Sequence, residues 1–80
     1  MGYIRNEKVL RAVGMNIRKL REKSGFSQQE FADLCDMELS QINRIELGEI
    51  NTSVSVLFII AEVLKIKPSK LLDIDWYLLL

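Results

Sequence analysis

Between Glu7 and Lys23 the apolar residues Leu10, Val13, Ile17 and Leu20 recur at spacings of three and four. That period predicts an amphipathic helix with one inward face. Asn6 stands at the N-cap position and Gly25 just past the end, where a left-handed residue is wanted. A second helix is predicted over Gln28–Cys35, capped by Ser27, with Glu30 placed for a capping box. Its inward residues are Phe31, Ala32 and Cys35. Asp36 and Met37 form a tight break, and a third helix runs from Leu39 to Leu47 with Ile42 and Ile45 facing inward, ended by Gly48. After a loop over 49–52, Ser53 caps a fourth helix, Val54–Leu64, whose core face is Leu57, Ile60, Ala61 and Leu64. Pro68 opens a short last helix through Leu72 at a position where its missing N–H costs nothing.

No segment alternates at period two and no Asn-Gly or Asp-Gly turn occurs, so the predicted class is all-α. The 80 residues make one domain with one modest core, expected over 7–72, followed by an apolar tail over 73–80. With 49% hydrophobic residues there is enough apolar material to fold without staples.

The formal charge is zero, but its distribution is uneven. Residues 1–24 hold seven Lys/Arg against two Glu, and residues 25–50 hold one Arg against six Asp/Glu. The basic surface is expected on the first helix, beside an acidic stretch. Met1–Ile4 leads into charged residues instead of an apolar leader core, so no secretion signal is expected. The longest apolar runs, Val56–Ala61 and Trp76–Leu80, fall far short of the roughly 20 residues of a membrane span. A lone cysteine, Cys35, with no disulfide partner fits a reducing cytoplasm, and no membrane association is expected.

Chemistry is limited by what is missing. The chain has no histidine and one cysteine, which removes nucleophile–histidine catalysis and Cys/His metal sites. The carboxylates are scattered and no Gly-rich phosphate loop is present. No enzyme activity, metal or cofactor is expected.

A helix of about eight residues, a short break, then one of about nine is the helix-turn-helix arrangement, whose second helix lays side chains against base edges in the major groove. Ile17-Arg-Lys-Leu-Arg-Glu-Lys-Ser-Gly-Phe-Ser-Gln-Gln-Glu-Phe-Ala32 and Gln41-Ile-Asn-Arg-Ile-Glu-Leu-Gly48 resemble the phage-repressor/Cro (Xre-type) helix-turn-helix DNA-binding family over Val13 to Leu72. The resemblance implies a five-helix, lambda-repressor-like fold. It implies that Gln28 bonds a DNA phosphate and braces the reading helix, and that Leu39, Ser40, Asn43 and Arg44 meet bases or nearby phosphates. Asn51 and Thr52 match a loop that touches the backbone, and Arg21 with Glu46 matches a structural salt bridge. Three departures stand out: Glu38 replaces the usual Ser/Thr cap, Glu49 and Ile50 replace basic or polar residues, and Leu39 cannot donate a hydrogen bond.

The fourth helix carries a second apolar stripe, Val56, Ile59 and Val63, and the tail adds Trp76 and Tyr77. Exposed apolar surface on this scale marks an interface, and a homodimer built from these residues is expected, unless the tail folds back over the stripe within one chain. The expected function is a cytoplasmic transcriptional regulator that binds double-stranded DNA as a dimer on a short inverted repeat. The alternative is an antitoxin-like interaction module that docks a partner protein, such as a toxin, and also represses its own promoter.

Overall fold

The structure, a computed structural model, describes residues 4–79. Met1–Tyr3, and Leu80 at the end of the expected tail, lie outside the described residues. Five α-helices run in the order α1 (Glu7–Lys23), α2 (Gln28–Cys35), α3 (Leu39–Glu46), α4 (Val54–Leu64) and α5 (Pro68–Leu71), followed by a 3-10 helix over Trp76–Leu79. No strand occurs among the described residues. The fold is all-helical, as the periodicity predicts.

The helix starts follow from local hydrogen bonding. Asn6 Oδ1 accepts from the Val9 N–H at 3.1 Å, and Ser53 Oγ accepts from Val56 N–H at 3.2 Å. At α2 the capping box is complete: Ser27 Oγ accepts from Glu30 N–H at 3.1 Å while Glu30 Oε1 accepts from Ser27 N–H at 2.9 Å. Bonds from the backbone N–H and the hydroxyl of Ser27 hold the Glu30 carboxyl below its usual range. Its contribution to stability is therefore present above the unfolded pKa and fades as pH falls through the lower folded value. Ser27→Ala is expected to destabilise the domain by about 1 kcal/mol, read as a lower urea midpoint at unchanged slope.

Two boundaries differ by one residue from expectation. Leu47 and Leu72 are C-caps, so α3 ends at Glu46 and α5 at Leu71. Leu47 is half exposed, so nothing draws it into the helix once the chain turns at Gly48. Glu38, at the N-cap of α3, makes no side-chain cap bond.

The core joins Ile17 of α1, Phe31, Ala32 and Cys35 of α2, Ile42 and Ile45 of α3, Ile60, Ala61 and Leu64 of α4, and Leu71 of α5. Leu57 lies at its edge, half-buried. Burial pushes the Cys35 thiol up to about 11, so it behaves as a small apolar side chain.

Helix α1 approaches α3 closely, and glycine permits it. A Cβ on Gly14 would lie 2.6 Å from the Glu46 carbonyl oxygen and nearer still to that of Ile45. Gly48, at φ +76°, leaves room for the Arg11 backbone, which a Cβ would meet at 2.6 Å. Asn16 ties α1 to the end of α5, its Nδ2 donating to the carbonyls of Lys70 at 3.0 Å and Leu71 at 2.9 Å.

The described part of the tail, through Leu79, does not close over the α4 stripe. Its 3-10 helix packs on α1, with Leu78 and Leu79 beside Ala12, Met15 and Asn16. The α4 stripe is also narrower than the sequence suggests, because Val56 and Val63 are half-buried against the core while Ile59 remains 40% exposed. Neighbouring α2 shelters that side of α4, where Ile59 and Val63 share a shallow depression with Phe26 and Leu34.

Candidate nucleic-acid interface

The site is built on α3. Ile42 and Ile45, buried in the core, fix the helix rotation, and a period of 3.6 then directs positions 39, 40, 43 and 44 outward. Leu39, Ser40, Asn43 and Arg44 are all exposed. The turn before α3 is set by Asp36, whose left-handed backbone (φ 55°) donates its N–H to the Ala32 and Asp33 carbonyls. Met37 N–H adds a bond to Ala32 O at 2.9 Å, and its half-buried side chain packs on the core.

A buried ion pair holds α3 in place. Arg21 Nε donates to Glu46 Oε2 at 2.7 Å and Arg21 Nη2 to Glu46 Oε1 at 3.0 Å, a bidentate contact. Arg21 Nη1 also donates to the Phe26 carbonyl at 2.8 Å, so one guanidinium ties α3 to the α1–α2 connection. The hydrogen bond to Glu46 raises the Arg21 pKa further above its already high ordinary value. Every buried side-chain nitrogen and oxygen among the described residues has a partner. Gln28, at the first position of α2, joins this pair: its Nε2 donates to Glu46 Oε1 at 2.9 Å and to Asn43 Oδ1 at 3.3 Å.

The loop after α3 is secured from the start of the chain. Arg5 Nη2 donates to the Glu49 carbonyl at 2.8 Å and Asn51 Nδ2 to the Ile4 carbonyl at 3.3 Å. Arg5 also pairs with Glu7. Asn51 is exposed and Thr52 half-buried. Arg5 therefore brings a guanidinium onto a loop whose own residues carry none. Nothing in the sequence signals this, since 44 positions separate donor and acceptor. Arg11 is likewise exposed beside Gly48, at the end of the reading element.

Charge is divided around the site. Asp33, Asp36 and Glu38 cluster near the turn, and Arg44 is the sole basic residue on α3. The basic residues of α1 do not share one face. Lys19 borders the groove beneath the tail, and Arg18 pairs with Glu22 at 3.6 Å. Trp76 and Tyr77 stand exposed on the 3-10 helix, edge to face with ring centroids 6.2 Å apart. Among the described residues no group of acidic or sulfur side chains could hold a metal ion, and no helix is long and apolar enough to cross a membrane.

A two-helix reading element with its outer face exposed and its inner face pinned by a buried ion pair defines a helix-turn-helix protein. A helix-turn-helix family model matches residues 17–71, and the chain belongs to that family of DNA-binding transcription regulators, not to a family of enzymes. Among solved structures it is similar to the restriction-modification controller protein C.AhdI from Aeromonas hydrophila. That match has 32% identity and a TM-score of 0.76, and covers 78% of this chain and 94% of the controller. It is also similar to the hypothetical transcription factor NHTF from Neisseria, at 28% identity and a TM-score of 0.79, over 99% of this chain and 92% of that one. An HTH_3 family transcriptional regulator from Vibrio cholerae shares the fold at 23% identity and a TM-score of 0.81, over 91% of this chain and 41% of that one. No curated protein matches the chain in sequence.

Proposed function

We propose that the protein is a cytoplasmic, sequence-specific regulator that binds a short inverted repeat in double-stranded DNA as a homodimer, reading the major groove with α3. The observation that carries this reading is the outer face of α3: Leu39, Ser40, Asn43 and Arg44 exposed together on a helix pinned by Arg21–Glu46. Arg44 supplies the charge for a guanine edge or phosphate, and Leu39 an apolar contact to a thymine methyl. Asn51 and Thr52, on the loop held by the N-terminal segment, meet the backbone.

Arg44→Ala is the direct test, on the DNA upstream of the gene or on a site selected from randomised duplexes. The expected loss is tenfold or more, corresponding to about 1–3 kcal/mol, with relaxed preference at one base pair. Undiminished affinity would count against groove reading by α3.

Dimerisation draws support from the surface. The accessible area is 5714 Å², against about 5,000 Å² expected for a monomer of this mass. Leu34, Phe58 and Ile59 contribute apolar exposure on α2 and α4, and Trp76 and Tyr77 on the 3-10 helix. A two-fold axis through the α4 side, where Val56 and Val63 flank Ile59, would pair two α3 helices, and half-sites one helical turn apart require those helices to lie about 34 Å from each other. Sedimentation equilibrium at micromolar concentration should give a dimer, and Ile59→Glu a monomer with weaker operator binding. A wild-type monomer under those conditions ends the dimer reading.

One observation favours the antitoxin-like alternative. Trp76 and Tyr77 are exposed on the 3-10 helix that packs on α1, a different element from the one bearing Ile59, so a dimer seam formed by α4 alone would leave them as a second apolar surface for a partner protein. A toxin-sized reading frame beside the gene would support that reading.

A further inference from the structure

The hydrogen bonds around Glu46 have a fixed polarity. A carboxylate only accepts, so the Gln28 amide must face Glu46 with its NH2 group. That group has two hydrogens. One goes to Glu46 Oε1 at 2.9 Å and the other is directed at Asn43 Oδ1 at 3.3 Å. Asn43 therefore has its oxygen turned inward, and its own NH2 is left on the exposed outer face of α3. Polarity set at the buried Arg21–Glu46 pair passes through Gln28 to the surface of the reading helix.

We propose that Gln28 is a polarity relay and that Asn43, held by it, presents hydrogen-bond donors only. It then selects an acceptor on the DNA: guanine O6 or N7, thymine O4, or a phosphate oxygen. The usual bidentate contact of Asn with adenine needs the Asn oxygen to face the base and accept from N6, and here that oxygen is turned inward towards Gln28. The same bonds leave the Gln28 amide no hydrogen to give a phosphate, so its effect on binding runs through Asn43. This departs from the direct phosphate contact that the family resemblance implies for Gln28. It rests on the DNA-binding reading above, and its test is chosen so that the two can fail separately.

The first measurement needs no DNA. In nuclear magnetic resonance of the free protein, the Gln28 side-chain NH2 is expected to exchange slowly with water and that of Asn43 rapidly. Rapid exchange at Gln28 overturns the relay whether or not the protein binds DNA. The second is a double-mutant cycle on a site selected from randomised duplexes. Gln28→Met should weaken binding about three- to tenfold in the wild-type background, the worth of one hydrogen bond. In the Asn43→Ala background the same change should cost less than about twofold, because coupled residues are non-additive. Additive losses would mean that Gln28 meets the DNA itself, and the relay is then wrong. Asn43→Asp should bind more weakly than Asn43→Ala, since it sets an anionic acceptor against an acceptor; binding equal to wild type overturns the donor assignment. Loss of preference at one base pair in Asn43→Ala identifies a base acceptor, and a uniform loss across sequences identifies a phosphate. Failure of the wild type to select any site defeats the DNA-binding reading, and the exchange measurement still decides the relay.

Discussion

Glu46→Ala is expected to destabilise the domain by about 3–5 kcal/mol, the usual consequence of removing one partner from a buried ion pair. The Arg21 guanidinium would be left buried with only the Phe26 carbonyl to accept from it, and Gln28 would lose one of its two acceptors as well. A small domain has only about 5–15 kcal/mol in total, so this one change removes a large part of it. Urea denaturation followed by circular dichroism measures the loss, and a cost below about 1 kcal/mol would show that the pair is not desolvated as its burial indicates. The double variant Arg21→Met with Glu46→Leu should recover most of the stability, because an apolar pair leaves no unpaired charge. It should not recover DNA binding, since without the Glu46 carboxylate nothing fixes which end of the Gln28 amide faces Asn43. Stability and readout therefore separate at this position.

Gly14→Ala is the second large effect, and its sign runs against helix propensity. In an exposed helix interior the change stabilises by about 1 kcal/mol. Here the new methyl would fall against the Ile45 and Glu46 backbone carbonyls, which cannot swing aside as a side-chain tip can. Helix α3 would have to move off α1, and an overpacked contact of this kind costs about 1–3 kcal/mol. The expected outcome is a lower melting temperature together with weaker operator binding, because the displaced element is the reading helix. A variant more stable than wild type would show that α1 and α3 do not meet as closely as described.

The helix starts were legible in the sequence because capping is local. Asn6, Ser27 and Ser53 each bond an N–H three residues ahead, so the signal and its target lie in the same short window. The inward faces were legible for the same reason, since Ile42 and Ile45 must share a face of any helix that contains both. The outward set Leu39, Ser40, Asn43 and Arg44 follows by subtraction. Pairing Arg21 with Glu46 came from family resemblance and not from spacing, because the two are 25 positions apart.

What stayed out of reach depends on elements meeting in space. Gly14 reads as an ordinary weak point in a helix until α3 arrives against it. Arg5 reads as a loose terminal charge until it is seen on the Glu49 carbonyl. Val56 and Val63 look like a free stripe because periodicity shows that a second face is apolar, not how far a neighbour covers it.

The sequence by itself determined the helices, the N-caps at Asn6, Ser27 and Ser53, most of each core face and the outer face of α3, because these depend on bonds within three residues and on the 3.6-residue period. Only the tertiary structure decided how closely α1 approaches α3, that the tail turns onto α1, and that Gln28 faces Asn43 across 15 positions. Those outcomes depend on which surfaces exclude one another and which buried groups must find partners, and no local pattern along the chain encodes either.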